Sequence, residues 1–155
     1  MSVRADVETF RGIPIFSECD PVHLQLLAFS AGRETYEAGE ALIRQGERGA
    51  ASFLILSGIV DLSTREGGHI GTAGPGALLG EVAMIGGGAY SSTAIALEAV
   101  SAARIDRELF MRVASEFPEF GAAVFRALAR KLEGSMSELA VAREGFESAR
   151  SFGNL

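Results

Sequence analysis

A stretch at residues 80–94, GEVAMIGGGAYSSTA, concentrates the residue types that hold phosphate groups. Glycine lets the backbone approach a ligand closely, and a glycine run such as that at 86–88 can turn successive amides toward an anion. The hydroxyl residues at 91–93 add further donors. However, no lysine or arginine lies between Arg65 and Arg104. The stretch therefore predicts an anion-binding loop without a cation of its own.

The composition limits what surrounds this loop. A chain of 155 residues that is 48% hydrophobic can bury one core, and 19 glycines without a collagen-like period favour a β-rich body with many tight turns. The net charge of -6 repels a polyanion, which argues against direct nucleic-acid binding. The densest basic cluster, Arg126, Arg130 and Lys131, is interpreted as a solvated helix face.

Location and catalysis are also constrained. The N-terminus has no apolar segment, so we expect neither a signal peptide nor a membrane span. A single cysteine, Cys19, cannot form an internal disulfide and favours a reducing cytoplasm. The histidines, His23 and His69, have no metal or catalytic-triad spacing, and no metal site or enzyme activity is expected.

The elements that must position the loop follow from local signals. Asp20 and Pro21 predict a helix start, because aspartate caps orphan amides and proline fits the first helical position. Residues 33–106 have strand-length apolar runs separated by glycines. Within that zone, residues 81–85 are predicted to form one helical turn after Gly80.

Helices are predicted after the strands. Asp106 is a candidate N-cap with Glu108 in the first turn, and Pro118 begins a longer helix. An apolar stripe on the longer helix predicts an uncovered face and a homodimer through the C-terminal helix. Its members are Phe120, Val124, Leu128, Leu132, Met136, Leu139 and Phe146.

This order of parts resembles the cyclic-nucleotide-binding domain, the sensor module of catabolite activator protein and of cyclic-AMP-dependent kinase regulatory subunits. The segments that carry the resemblance include IFSECDPVHLQLLA, YEAGEALIRQGERGAASFLILSGIVDL and GPGALLGEVAMIGG. It implies a mainly β fold with flanking helices: a double-stranded β-helix (jelly-roll-like β-roll) with an N-terminal helix and two C-terminal helices, the last one long. Residues 1–14 are then an N-terminal extension, 15–133 the cyclic-nucleotide-binding-like domain, and 134–155 the end of the long helix and a tail.

The resemblance also implies a phosphate-binding cassette. Gly80 and Glu81 would approach the ribose, and the helical amides at Val82 and Ala83 would donate to the phosphate. The family's arginine, which holds a phosphate oxygen, aligns with Tyr90, followed by the 91–92 serine pair. These ligand-binding candidates are Gly80, Glu81, Val82, Ala83, Tyr90, Ser91 and Ser92.

The missing arginine has a calculable effect. A charge-assisted contact to phosphate contributes about 1.5 to 3 kcal/mol, so its loss should weaken binding roughly 10- to 150-fold. Glu81 would also face the phosphate without a compensating charge. Arg44, Arg48 and Arg104 are the candidates to reach the pocket from neighbouring strands, although nothing in the sequence places them there.

Two alternatives stay open for the loop and two for the protein. As a functional residue, Tyr90 would donate a hydrogen bond to an anion or stack on a base; as a structural residue, it would cover the mouth of the barrel. The glycine run at residues 86–88 is either an anion-binding nest or a flexible loop. The protein is predicted to be a stand-alone sensor, with cyclic AMP, cyclic GMP or another small anion as possible ligand and no resident cofactor. The alternative is a β-roll without a ligand that serves in dimerisation or in docking an unknown protein. Direct DNA binding is not expected, because about 20 residues follow Glu133 and a DNA-reading domain needs several times that number.

Overall fold

The structure, a computed structural model, describes residues 3–133 of the chain. Its helices are α1 Val3–Arg11, α2 Pro21–Ser30, α3 Glu81–Gly86, α4 Arg107–Glu116 and α5 at residues 118–133, with a short 3-10 helix at Pro14–Phe16. Its strands are β1 Gly32–Tyr36, β2 Ala41–Ile43, β3 Ala51–Ser57, β4 Val60–Thr64, β5 Gly68–Ala73, β6 Leu78–Leu79, β7 Thr93–Ala96 and β8 Val100–Asp106.

The strands form two antiparallel sheets that enclose an apolar interior. One four-stranded sheet has the order β1-β8-β3-β6 and the other has the order β2-β7-β4-β5. Except for β4 and β5, which pair with each other, strands that follow one another in sequence lie in different sheets, so that β3 pairs with β8 while β4 pairs with β7. The predicted mainly β architecture with helices on both flanks is confirmed.

Strand β3 divides the interior into two cores. Its residues alternate between faces, as side chains on a strand must. Phe53 and Ile55 lie between the two sheets, together with Tyr90. Leu54 and Leu56 point to the opposite face, where the helices cover the sheet. Because both faces of β3 are covered, residues 51–56 of this strand are all buried and, apart from Ser52, apolar, instead of alternating between apolar and polar residues.

The helix starts follow the predicted signals with one difference. Asp20 caps α2, accepting a hydrogen bond from the Val22 amide at 2.9 Å, with Pro21 at the first helical position. Asp106 lies at the N-cap of α4, but its side chain makes no capping hydrogen bond. It pairs instead with Arg104 at 2.7 Å, because alternate residues on β8 place the two side chains on one face.

The helical layer corrects the expected role of the stripe on the last helix. Phe120, Val124 and Leu128 are buried in the domain's own core, so this part of the stripe is not the uncovered face predicted from sequence. Helix α1, which was not predicted, helps to cover them: Phe10 packs edge-on against Phe16, whose ring stacks on Phe120 at 6.4 Å. The later positions Met136, Leu139 and Phe146 lie outside the described residues.

A candidate ligand-binding cavity at the Gly80-Glu81 segment

A cavity of about 500 Å³ lies beside α3. Every cassette residue predicted from the sequence lines it: Gly80, Glu81, Val82, Ala83, Tyr90, Ser91 and Ser92. Its other walls are mainly apolar and come from strands of both sheets, with Ile43 and Leu62 on one and Leu78 and Leu79 on the other. The fold therefore brings the candidates together in one place, while their roles toward a ligand stay predictions.

Glycine is required where α3 begins. Gly80 is the N-cap residue of α3 and has φ 77°, a left-handed conformation that disfavours side chains. A Cβ atom there would lie 2.8 Å from Cε1 of Tyr90. The backbone at Gly80 thus approaches the tyrosine ring as closely as the absence of a side chain allows.

Tyr90 is part of the interior. It is 9% exposed and packs in the core between the sheets. Its hydroxyl donates to the backbone carbonyl of Ala51 and accepts from the Ala51 amide, with 3.2 Å between the oxygen and that nitrogen. Because the hydroxyl is used by the backbone of β3, the geometry favours the structural interpretation of Tyr90 over a phosphate-donating role.

The glycine run terminates α3. Gly86 is the last residue of the helix, and Gly87 is its C-cap with φ 75°. The Gly87 amide donates to Ala83 O at 2.8 Å, and the Gly88 carbonyl accepts from the Gly49 amide at 2.8 Å. These bonds make the run an ordered helix end, and they use the Gly87 amide that an anion nest would need.

Arg107 holds the other end of α3. Its guanidinium donates from Nη1 to the carbonyl oxygens of Met84 and Ile85, the latter at 2.9 Å. Carbonyls at a helix C-terminus lack intrahelical partners and carry partial negative charge, so a cation there is favourable. Arg107 thus ties the cavity-lining helix to the start of α4.

The cavity holds an ion pair that was not predicted. Glu81 Oε1 accepts a hydrogen bond from Lys131 Nζ, which reaches the cavity from α5. The Glu81 side chain is 12% exposed and the Lys131 side chain 52% exposed. Lys131 is exposed, as the interpretation of a solvated helix face predicts, and its ammonium group in addition reaches the Glu81 carboxylate at the start of α3.

The other candidate cations do not reach the cavity. Among the described residues that line it, Lys131 is the only cation, and none of Arg44, Arg48 and Arg104 is included. Arg104 lies over the Phe53 ring at 5.4 Å and pairs with Asp106. Within residues 3–133, therefore, no arginine substitutes for the one absent from the cassette.

The histidines and acidic side chains elsewhere in the described part of the chain do not form a metal site. Within the described residues there is no group of histidine, cysteine and acidic side chains that could hold a metal ion. His69 pairs with Asp61 at the surface, while His23 packs on Phe117 with ring centroids 4.6 Å apart. None of the helices in this part of the chain has both the length and the apolar character needed to cross a membrane.

Comparison with known proteins now decides the family. Residues 33–117, a little over half of the chain, match the family described as the cyclic nucleotide-binding domain. The chain belongs to this family. The predicted resemblance is confirmed, and Gly80 and Glu81 at the cavity lie within the matched residues.

Relatives and solved structures in the family agree with the architecture. The cyclic AMP receptor protein of Thermus thermophilus is 30% identical over 91% of this chain, which spans 66% of that relative, a little under two thirds. The N-terminal domain of a transcriptional regulator from Streptomyces coelicolor superposes with a TM-score of 0.73 at 25% identity, covering 82% of this chain and 94% of that domain. A cyclic nucleotide-binding-like protein from Brucella abortus has a TM-score of 0.65 at 32% identity, covering 72% of this chain and 98% of that one.

Proposed function

We propose that this protein is a regulatory sensor module, not an enzyme, whose cavity binds cyclic AMP and cyclic GMP weakly. Family membership supports the sensor class. The observation that carries the weak binding is Tyr90, a buried tyrosine hydrogen-bonded to Ala51 in the place of the family's arginine. The cytoplasm is the proposed location, in keeping with the free, buried Cys19.

The electrostatics support weak binding of a cyclic phosphate. Without the arginine, about 1.5 to 3 kcal/mol of charge-assisted hydrogen bonding is missing, which corresponds to roughly 10- to 150-fold in affinity. Lys131 does not replace it, because its ammonium group is already paired with Glu81. The phosphate would therefore enter a cavity whose single cation is engaged by a carboxylate.

Titration calorimetry with cyclic AMP and cyclic GMP tests this function. We expect dissociation constants well above the micromolar range for the wild-type protein and tighter binding, by roughly 10- to 150-fold, for Tyr90→Arg. Circular dichroism must first show that the variant is folded, because it loses the hydrogen bonds to Ala51. Micromolar or tighter binding by the wild-type protein would refute the proposed weakness.

The proposed assembly is a homodimer through the last helix. Phe125 and Leu132 are exposed on α5 and lie seven residues apart, which places them on one side of the helix. These two residues support the dimer in place of the longer stripe, because Phe120, Val124 and Leu128 are covered by the domain itself. Light scattering should show a dimer that Leu132→Glu converts to a monomer, and a wild-type monomer at high concentration would contradict the proposal.

A docking module is the second candidate function. Val22, Leu26 and Phe29 are exposed on α2 at intervals of four and three residues, which forms an apolar face on the solvent side of the helix. Such a face is typical of protein-binding surfaces. The two functions are distinguished by thermal unfolding: a sensor is stabilised by a small molecule that fits the cavity, whereas a docking module without a ligand is not.

A further inference from the structure

The cavity beside α3 is electrically balanced. Among its described lining residues, the acidic side chain is Glu81 and the basic one is Lys131, and they pair with each other. The remaining lining residues are apolar, glycine or hydroxyl residues, and the Tyr90 hydroxyl is engaged by Ala51. An incoming molecule therefore meets no unpaired charge on these residues.

The ion pair disfavours a charged ligand of either sign. An anion that drew Lys131 away would leave the Glu81 carboxylate, only 12% exposed, unpaired and beside a second negative charge. Two negative charges a few ångströms apart repel each other, and the repulsion is stronger beside a largely buried carboxylate than in open water. A cation that paired with Glu81 would displace the Lys131 ammonium group and lie beside a second positive charge.

An uncharged hydroxyl group suits the pair. A hydroxyl both donates and accepts, so it can donate to the Glu81 carboxylate while it accepts from the Lys131 ammonium. Neither charge then has to lose its partner. The apolar side chains of Ile43, Leu62 and Leu79 would cover the apolar part of such a molecule.

We infer that the cavity takes an uncharged ligand with an apolar body and at least one hydroxyl group, and that the Glu81–Lys131 pair sets this preference. The inference rests on the proposed sensor function and names the ligand class of the same cavity. A small anionic ligand, which the sequence suggested, is the competing outcome.

Matched probes that differ in charge test the inference. Thermal unfolding and calorimetry would compare adenosine with cyclic AMP, phenyl glucoside with phenyl glucuronide, and phenylbutanol with phenylbutyrate. We expect an uncharged member to raise the melting temperature and to bind roughly tenfold or more tightly than its anionic partner. Amide chemical-shift changes at Ser91 and Ser92 would place the probe in the cavity.

Variants of the pair test its role. Glu81→Gln leaves Lys131 unpaired and should shift the preference toward the anionic member, whereas Lys131→Met should exclude anions further. The double variant carries neither charge and is again neutral, so it should favour the uncharged members as the wild-type protein does. It is the variant to measure where either single variant is poorly folded. Arg130→Gln is the matched control, because Arg130 lies next to Lys131 but pairs with Glu18 at 2.8 Å outside the cavity, and it should change nothing.

The outcomes separate this inference from the function on which it rests. Preference of the wild-type protein for the anionic members would overturn the uncharged-ligand inference and leave the sensor function standing. Failure of every probe to stabilise the protein would count against both and favour the docking module. An unchanged preference in folded Glu81→Gln and Lys131→Met would show that the pair does not set it, which also overturns the inference.

Discussion

The Tyr90 hydroxyl should contribute to stability, and Tyr90→Phe measures that contribution with little change in shape. The variant removes one oxygen atom and leaves the ring against Gly80 and in the core between the sheets. The Ala51 amide then has no hydroxyl oxygen to donate to, and the Ala51 carbonyl no longer accepts from the hydroxyl. Ala51 is fully buried, so water cannot take the place of the hydroxyl.

The magnitude follows from the cost of unsatisfied buried groups. Leaving such a group without its partner costs about 1 to 3 kcal/mol. For a domain of this size, each kcal/mol lowers the melting temperature by about 2 to 4 °C. Tyr90→Phe should therefore lower the melting temperature by several degrees, and urea titration should show a lower midpoint with an unchanged slope.

Tyr36→Phe is the matched control. Its hydroxyl donates to Glu34, whose side chain is 40% exposed, so water replaces the lost hydrogen bond at small cost. We expect a smaller loss of stability than for Tyr90→Phe. Equal melting temperatures of Tyr90→Phe and the wild type would refute the structural role of the hydroxyl. Loss of cyclic nucleotide binding without loss of stability would assign it to ligand contact instead.

Further predictions concern the two ends of α3 and the buried Cys19. Gly80→Ala should destabilise the protein by about 1 to 3 kcal/mol in urea unfolding, because its φ is 77° and its Cβ would lie 2.8 Å from the Tyr90 ring. Arg107→Ala removes a charged donor from two carbonyls at the end of α3 and should lower the free energy of unfolding by about 1.5 to 3 kcal/mol. Arg112→Ala, at an exposed position of α4, the helix that also carries Arg107, should lower it little. Burial raises the pKa of the Cys19 thiol to about 11, so iodoacetamide at pH 8 should label it slowly until the protein is unfolded. The raised pKa also means that the folded state keeps this proton longer than the unfolded state, so stability should fall as the pH rises from about 9 toward 11.

The parts of the fold that could be predicted depend on short-range physics. Asp20 and Pro21 begin α2 because capping and a proline φ angle need only the adjacent backbone. The strands between Gly32 and Asp106 follow from apolar runs separated by glycine, and α3 follows Gly80 as expected. The family resemblance of the segment at residues 80–92 was likewise enough to select part of the cavity lining, from Gly80 to Ala83 and from Tyr90 to Ser92.

The errors concern contacts between distant segments. The stripe at Phe120, Val124 and Leu128 satisfies the pattern for an uncovered helix face, but that pattern is the same whether the covering surface comes from another chain or from this one. Helix α1 and the residues around Phe16 supply part of the cover here. The period of a helix identifies its apolar face and does not identify what packs on it.

The sequence by itself determined the class of fold, through its resemblance to a known family, and the absence of lysine and arginine from residues 80–92, because these depend on residue type and order along the chain. Only the tertiary structure decided how the charges and hydroxyls of the cassette are used. Lys131 is 50 residues from Glu81 in the chain, yet the fold brings its ammonium group to the Glu81 carboxylate. Tyr90 is 39 residues from Ala51, yet the fold brings its hydroxyl to the Ala51 backbone. Spacing along the chain carries no information on such distances in space, and they decide whether a charge is free to meet a ligand.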